Sequence, residues 1–514
     1  MRRALGCAGT ELGPPGYLPS RSPRRWAASS GCSPSSARGH PPRAVLRSAH
    51  LQRVERHRAE LTPSGPPDLV LEGRFERVQE RRYTHLPFDV PGGVRQIHLR
   101  YSYSDQIDSD PTISGGNTLD IGVFDERGIA EASPGFRGWS GSNKIEFTID
   151  ERWATPPYRK GRIGAGRWHV LLGPYKVGPR GCDWKVEIWF DAEVLAPWHF
   201  AGAARRVNPD PLPKARPGWM RADLHCHTVY SDGDGWPQEM LLRAADAGLD
   251  ILGVTDHNNV AHQLAYGPGG DGLPIVVPGV EVTTYGGHWN AWGTDHWWEF
   301  REPESRAVER AMRAAAESGA VTSVCHPKPF GPPWEYAVAD GFHAVEVWNG
   351  PWPRQNVDAV AFWEDRLRRG EHRAALGGSD THYLHRRDPD PRHSQSLGTP
   401  TTWVQVGDRP TVNTILAALR EGRAFVSESP RGPQLYLDPD RGRAGRVGVE
   451  VRDGGGSMLE LIADAGTAAT AAVKGAAWDR AFALPAGTRY VRAQLVSAIG
   501  EVRALSNPIW AEHL

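Results

Sequence analysis

Between residues 222 and 382 the chain repeatedly ends a short apolar run on histidine or a carboxylate, and this repetition constrains the fold more than any other feature. Asp223-Leu-His225-Cys-His227 closes one run and Asp256-His257 the next. Gly279-Val-Glu281, Cys325-His326 and Asp380-Thr-His382 close three more. Between them lie stretches of helical spacing, Pro237–Gly248, Pro303–Gly319, Gln355–Gly370 and Pro410–Gly422, several with Pro near the first turn and Gly just past the last. Apolar runs alternating with helices predict an α/β domain of mostly parallel strands, as a barrel or an open sheet. In a barrel the carboxyl ends of the strands converge on one face, where side chains far apart in sequence meet.

The flanking regions follow other rules. From Asp68 to Phe200 short alternating segments, among them Gln96–Tyr103, Thr118–Phe124 and Trp184–Phe190, are separated by Gly, Pro and Asp. In the last, Val186, Ile188 and Phe190 face one way. This predicts an antiparallel β-sandwich serving as a structural or binding module. A Pro-rich linker, Asn208–Pro217, follows it, and from Arg431 to Leu514 the chain returns to β-like segments, a small C-terminal β domain. Residues 1–66 are rich in Pro, Gly, Ser and Arg and predict a disordered tail, because they cannot bury enough apolar surface to offset their ordering entropy. The expected domains are therefore 1–66, 67–200, 216–427 and 431–514.

Composition narrows the functional classes. Lys+Arg and Asp+Glu both number 60, so no whole-protein basic field exists for nucleic acid, which is expected, with nucleotides, only as a substrate. No stretch approaches the ~18 apolar residues that span a bilayer. Met1–Arg3 is not followed by the apolar segment of a secretory signal, so a cytoplasmic location is expected. The five cysteines, Cys7, Cys32, Cys182, Cys226 and Cys325, are too scattered for a disulfide framework.

The chemistry rests on the strand-end residues. His225-x-His227 on a strand points both rings to one side, as chelation of one metal requires. Asp232 follows in a turn, and His288 lies seven residues after Glu281. Singly, Asp232 reads as a turn residue and Glu281 as a buried partner of an arginine. Jointly, six histidines and three carboxylates on successive strand ends predict a metal centre. Cys226 and Cys325 alternate with ligands along their strands and are expected to point into packing.

His225-x-His227 with Ser231-Asp232-Gly233, Asp256-His257-Asn258, Glu281, His326-Pro327 and Asp380-x-His382 resemble the motifs of the PHP (polymerase and histidinol phosphatase) metallohydrolases. Gly279-Val-Glu281 followed by Gly286-Gly-His288, with an N-terminal sandwich, is most similar to the CehA/McbA-type branch, which includes a carbaryl hydrolase. The resemblance covers about residues 216–427. It implies a distorted (β/α)7 barrel with two or three divalent ions (Zn, Mn or Fe) at the strands' carboxyl ends. It implies a first position held by His225, His227, Glu281 and Asp380. A second is held by Glu281, His288 and His326, with Glu281 bridging, and a third by Asp232, His257 and His382. His296 is the nearby alternative to His288.

The mixed imidazole and carboxylate shell suits Zn, Mn or Fe better than Ca or Mg. Ions sharing a carboxylate would share a hydroxide able to attack phosphorus or a carbonyl carbon, without a separate protein base. Asp256 is expected either to orient His257 or a neighbouring ligand, or to be a turn residue. Lys328, Trp334, Trp348 and Asn349 lie just past strand ends and either line a substrate pocket or cap the core. Arg386-Arg387 is either an anion-binding pair or a solvated loop. The expected activity is metal-dependent hydrolysis of a small-molecule phosphoester. The alternatives are a carboxylic or carbamic ester hydrolase and a non-catalytic metal-bound binding protein.

Overall fold

The computed structural model describes residues 63, 65–194, 211–266, 272–336, 340–385, 394–439 and 445–513. Expectations for the tail up to residue 62, for the linker before residue 211, for Cys7 and Cys32, and for Arg386-Arg387 lie outside them.

The N-terminal region folds as two four-stranded antiparallel sheets. One takes β1 (Leu69–Phe75), β3 (Gln96–Tyr103), β6 (Glu146–Asp150) and β8 (Cys182–Phe190) in the order β1-β8-β3-β6. The other takes β2 (Thr84–Val90), β4 (Thr118–Phe124), β5 (Phe136–Gly141) and β7 (Gly166–Lys176) in the order β2-β7-β4-β5. Both sheets send side chains into one cluster, including Phe75, Leu99, Ile121, Phe147, Trp168 and Ile188. Alternation made β3 and β4 visible in the sequence to the residue. It missed β2, whose Pro87 breaks the pattern, and β5, whose two glycines do.

The central region supplies β9 (Trp219–Asp223), β10 (Ile251–Val254), β11 (Ile275–Thr284), β12 (Gly287–Trp292), β13 (Val321–Val324), β14 (Ala344–Asn349), β15 (Ala374–Gly378), β16 (Thr401–Gln405) and β17 (Ala424–Ser427). Four helices intervene: α1 (Pro237–Ala247), α2 (Ser305–Glu317), α3 (Asn356–Arg368) and α4 (Val412–Arg420). The sequence explains their limits. Pro237 opens α1 at a position whose N–H has no intrahelical partner, and Gly248 ends it in the left-handed conformation, φ 87°. In α2 the residues Ala307, Val308, Ala311, Met312 and Ala315 recur at helical spacing and form its buried face. Thr411 caps α4 by accepting from the Thr414 N–H.

The pairings β9–β10, β10–β11, β13–β14 and β14–β15 are parallel, as alternation predicts. Two features depart from that pattern. β12 was invisible as a strand and pairs antiparallel with both β11 and β13, so Thr283 faces His288 across a tight hairpin. The sheet also does not stop at the anticipated C-terminal boundary. β16 and β17 run antiparallel, and β17 pairs with the Val502–Ser506 strand, which continues the same fourteen-stranded sheet. One hydrophobic cluster joins Phe124 and Phe136 of the N-terminal sheets to Trp289, Trp297 and Phe300 of the centre and to Tyr490 and Leu505 of the C-terminal strands. Among the described residues no helix is long and apolar enough to cross a membrane.

Candidate metal centre

The strand carrying the His-x-His pair ends earlier than the sequence predicts, at Asp223. His225 and His227 nonetheless stay extended, because residues 225–227 run beside 380–382. Asp380 N–H donates to His225 O at 2.8 Å and His227 N–H to Thr381 O at 2.9 Å, with a bridge between Cys226 and Thr381. Alternate residues of this ladder share a face, which brings His225, His227, Asp380 and His382 together. Buried Asp223 anchors the segments by accepting from the N–H groups of Ser379 and Gly398 at 3.0 and 2.7 Å. A Cβ on Gly378 would sit 2.4 Å from that of His225, so only glycine lets this strand approach. Asp380 (φ 53°) and His326 (φ 30°) both lie in the left-handed region, a strained geometry typical of functional sites.

All nine expected ligands converge. Glu281 is buried at the centre. Its Oε2 lies 3.3 Å from His225 Nε2, 3.3 Å from His227 Nε2 and 3.0 Å from His257 Nδ1. Its Oε1 lies 3.0 Å from His288 Nδ1 and 3.2 Å from His326 Nε2. Asp380 Oδ1 lies 3.1 Å from His227 Nε2 and 3.5 Å from His225 Nε2. Asp232 Oδ1 stands 3.5 and 3.4 Å from His257 Nε2 and His382 Nε2. His227 also groups with Asp232, His257 and His382, so it stands between the first and third expected positions rather than belonging to one. His296 pairs with exposed Asp295 and packs at a tilt on Trp298, which leaves His288 in the cluster.

The electrostatics favour added cations. Burial opposes the charge on Glu281 and Asp380, yet neighbouring imidazoles hold both carboxyls well below the usual range: first His225 and His257 for Glu281, first His225 and His382 for Asp380. Burial opposes and then Asp232 and Asp380 raise His382 to about 10, and Glu346, Glu281 and Asp380 likewise raise His225 despite its burial. His227 is driven to about 4 by burial and by His382 and His257. Packed carboxylates thus force protons onto some rings while others are kept bare. His225 Nε2, His227 Nε2, Asp232 Oδ1 and Glu281 Oε2 are buried without a hydrogen-bond partner. Orphaned lone pairs converging beside anions are what a metal shell offers, and this donor set fits divalent ions with nitrogen and oxygen preferences.

Supporting residues complete the site. Glu346 Oε1 lies 2.9 Å from His225 Nδ1, and its Oε2 accepts from the His326 N–H at 3.1 Å. Sequence reasoning passed over Glu346, although a lone carboxylate inside an apolar strand is the signal that marks it. Asp256 touches no ligand ring directly. It accepts from Thr228 N–H, Thr228 Oγ1 and Ser231 Oγ at 2.6–2.7 Å, which fixes the turn carrying Asp232. Thr283 Oγ1 lies 2.5 Å from His257 Nδ1.

The substrate-contact expectations need correction. A cavity of about 760 Å³ opens over the cluster, and Lys328, Trp334, Trp348 and Asn349 do not line it. Lys328 turns inward, donating to Asn349 O and Asn356 Oδ1 at 2.8 Å each, and burial lowers its ammonium to about 7. Trp348 donates to Gly350 O, Asn349 donates to Glu346, and Trp334 packs against Tyr336. β13 ends at Val324, so Lys328 and Trp334 lie in the loop beyond it, whereas Trp348 and Asn349 are the last two residues of β14 and are buried with it. Cys226 packs in a small apolar cluster as expected. Cys325 instead lies close to His225 and Glu281, because the chain has left the strand before it and strand alternation no longer applies. The cavity's opposite wall comes from the N-terminal sheets, through Tyr103, Asp120, Trp139 and Tyr175.

Residues 223–314 match the PHP domain family. A 67-residue segment is 37% identical to a phosphoribosyl 1,2-cyclic phosphate 1,2-diphosphodiesterase of Eggerthella lenta. That segment is 13% of this chain, which spans about a quarter (26%) of the relative's length. Among solved structures, a two-domain protein containing a predicted PHP-like metal-dependent phosphoesterase, from Bacteroides vulgatus, aligns at TM-score 0.36 with 17% identity, covering 60% of this chain and 100% of that one. An amidohydrolase from Chromobacterium violaceum aligns at TM-score 0.23 with 16% identity, covering 41% and 98%.

Proposed function

From the premise that this chain carries a PHP domain, we propose that it is a metal-dependent hydrolase whose primary substrates are small phosphoesters. The observation that carries this reading is Glu281, whose two oxygens face different imidazole sets at the floor of an open cavity. In this reading His225, His227, Glu281 and Asp380 hold one ion and Glu281, His288 and His326 a second. Asp232, His257 and His382, with His227 shared, hold a third. When bound, divalent ions would polarise the phosphoryl oxygens and lower the pKa of an attacking water towards neutrality. The protein's own part is positional. Glu346 sets the ring of His225, Asp256 sets the turn of Asp232, and Thr283 sets His257, so each donor enters in one orientation.

We read the central strands as a distorted (β/α)7 barrel and the N-terminal sheets as a β-sandwich folded against its mouth. We keep the expected limits 67–200 and 216–427 for the first two modules, with strands of the expected 431–514 domain continuing the central sheet. Among the described residues the cavity lining contains no Lys or Arg, which favours small esters over nucleic acid. A carboxylic or carbamic ester is the second reading, favoured by the aromatic wall and the CehA/McbA-type resemblance. The test is turnover of p-nitrophenyl phosphate, bis(p-nitrophenyl) phosphate and an aryl carbamate by Mn- or Zn-loaded protein. Chelator-sensitive phosphoester cleavage supports the first reading and carbamate cleavage alone the second. Stoichiometric metal with no turnover of any ester would leave a binding protein.

A further inference from the structure

The half of the cavity away from the metal-ligand cluster is built by the N-terminal sheets, and its chemistry is distinct. Asp120 on β4 is 6% exposed and lines the cavity. Its Oδ2 accepts from the Tyr285 hydroxyl at 3.0 Å, and no group among the described residues donates to its Oδ1. Across the ladder Asp120 faces Gly173, where a Cβ would fall 2.1 Å from the Tyr285 hydroxyl oxygen, so a glycine opens the notch in which the pair meets. Tyr285 stacks between Tyr83 and Tyr175, with ring centroids at 4.9 and 5.3 Å, and Tyr103 and Trp139 complete the aromatic lining. Asp108 and Asp110 stand at the rim. Two ammonium groups of the described residues stand near this wall, Lys176 with its Nζ 5.4 Å from the Tyr175 ring centroid, and both are engaged by backbone carbonyls. Lys176 donates to the carbonyls of Asp108, Asp110 and Ile113, and Lys144 to that of Ser231.

A buried anion with a free oxygen, beside π-faces and, among the described residues, without a basic side chain in the lining, disfavours a second anionic group and favours a cation. We propose that this wall is a subsite for an organic ammonium group, with Asp120 as its counter-ion, so that the preferred esters carry a positively charged substituent. This rests on the hydrolase reading for the ester, but not for the ammonium group. The groups facing Asp120 are Tyr83, Tyr101, Tyr103, Tyr175 and Tyr285, with His257 acting from the metal side. Burial raises all five phenols above their usual value, so none ionises near neutrality. Burial raises Asp120 itself to about 7, so the subsite gains its charge as pH rises through neutrality.

The probes are p-nitrophenyl phosphorylcholine and its neutral isostere p-nitrophenyl 3,3-dimethylbutyl phosphate, given to metal-loaded full-length protein. At pH 8 kcat/KM should favour the choline ester by at least about tenfold. The ratio should shrink towards pH 6, and because both esters share one metal site its titration cancels from the ratio. Asp120→Asn should bring the ratio close to one at both pH values. Binding of choline against 3,3-dimethylbutan-1-ol, followed by calorimetry, gives the same comparison without turnover. Choline binding with no ester hydrolysed would sink the hydrolase reading and keep the subsite. Hydrolysis with equal or reversed preference, or a preference that survives Asp120→Asn, would overturn the subsite.

Discussion

The two walls of one cavity are built in opposite ways. The floor is crowded with candidate metal ligands from strand ends, each within about 3.5 Å of another and most held by a partner behind it, as Glu346 holds His225. The opposite wall has one buried carboxylate among aromatic rings, set on a sheet laid down before the central strands begin, with Asp108 and Asp110 also in the lining. Metal ligation demands particular residue types at near-fixed spacing, whereas recognition accepts any side chain whose Cβ faces the space. The floor therefore writes a motif and the wall does not.

The sharpest way to break this contrast is to remove the centre of the floor. Glu281→Gln should cost about a thousandfold or more in turnover and lower metal stoichiometry, because a neutral amide is a poor bridge between cations. Metal analysis by mass spectrometry beside turnover measures both. Full activity with unchanged metal would remove Glu281 from the site and leave the two walls functionally alike.

The second prediction asks whether the walls are one body. Phe136 packs on Trp297 at 5.0 Å and on Phe300 at 5.9 Å, so Phe136→Ala leaves a cavity between the N-terminal sheet and the centre. The expected cost is about 3–5 kcal/mol, with a single lowered thermal transition. Two separated transitions, the later one retaining metal, would show that the recognition wall melts independently of the floor.

Within the floor, Glu346→Gln should weaken metal affinity by about 10–100-fold, since it frees the ring of His225 without removing a ligand. Competition with a chelator of known affinity reads this directly. An unchanged affinity would place the orientation of His225 with its backbone neighbours instead.

The same contrast explains what the sequence made legible. His225, His227, Asp380 and His382 could be named because i and i+2 residues share a face in any extended segment, even where the strand proper ends at Asp223. The β12 hairpin was not legible, since Gly287–Trp292 carries His, Asn and two Trp without clean alternation, yet it delivers His288 opposite Thr283. Lys328, Trp348 and Asn349 were misplaced because proximity to a strand end fixes position along the chain and not direction. Asp120 was passed over for a simpler reason: in Leu119-Asp120-Ile121 it reads as the solvent-facing member of an alternating strand, and only the docking of the sheet against Tyr285 buries it.

That burial gives the smallest and most specific prediction. A carboxyl raised to about 7 by desolvation penalises the folded state once it must ionise. The penalty is absent below the ordinary carboxylate pKa, grows as pH rises from about 4 towards 7, and is complete above 7. Asp120→Asn should therefore stabilise the protein relative to wild type at pH 8 and do so much less at pH 5. The difference between the two pH values should be about 1–3 kcal/mol, read from urea or thermal unfolding of the metal-free protein. The neighbouring phenols stay neutral over this range, and the raised His382, whose contribution is lost only as pH climbs towards 10, is common to both proteins and cancels. A pH-independent difference would mean that Asp120 is solvated as an ordinary surface carboxylate. The wall would then lose its buried anion, and with it the distinction from a purely aromatic surface.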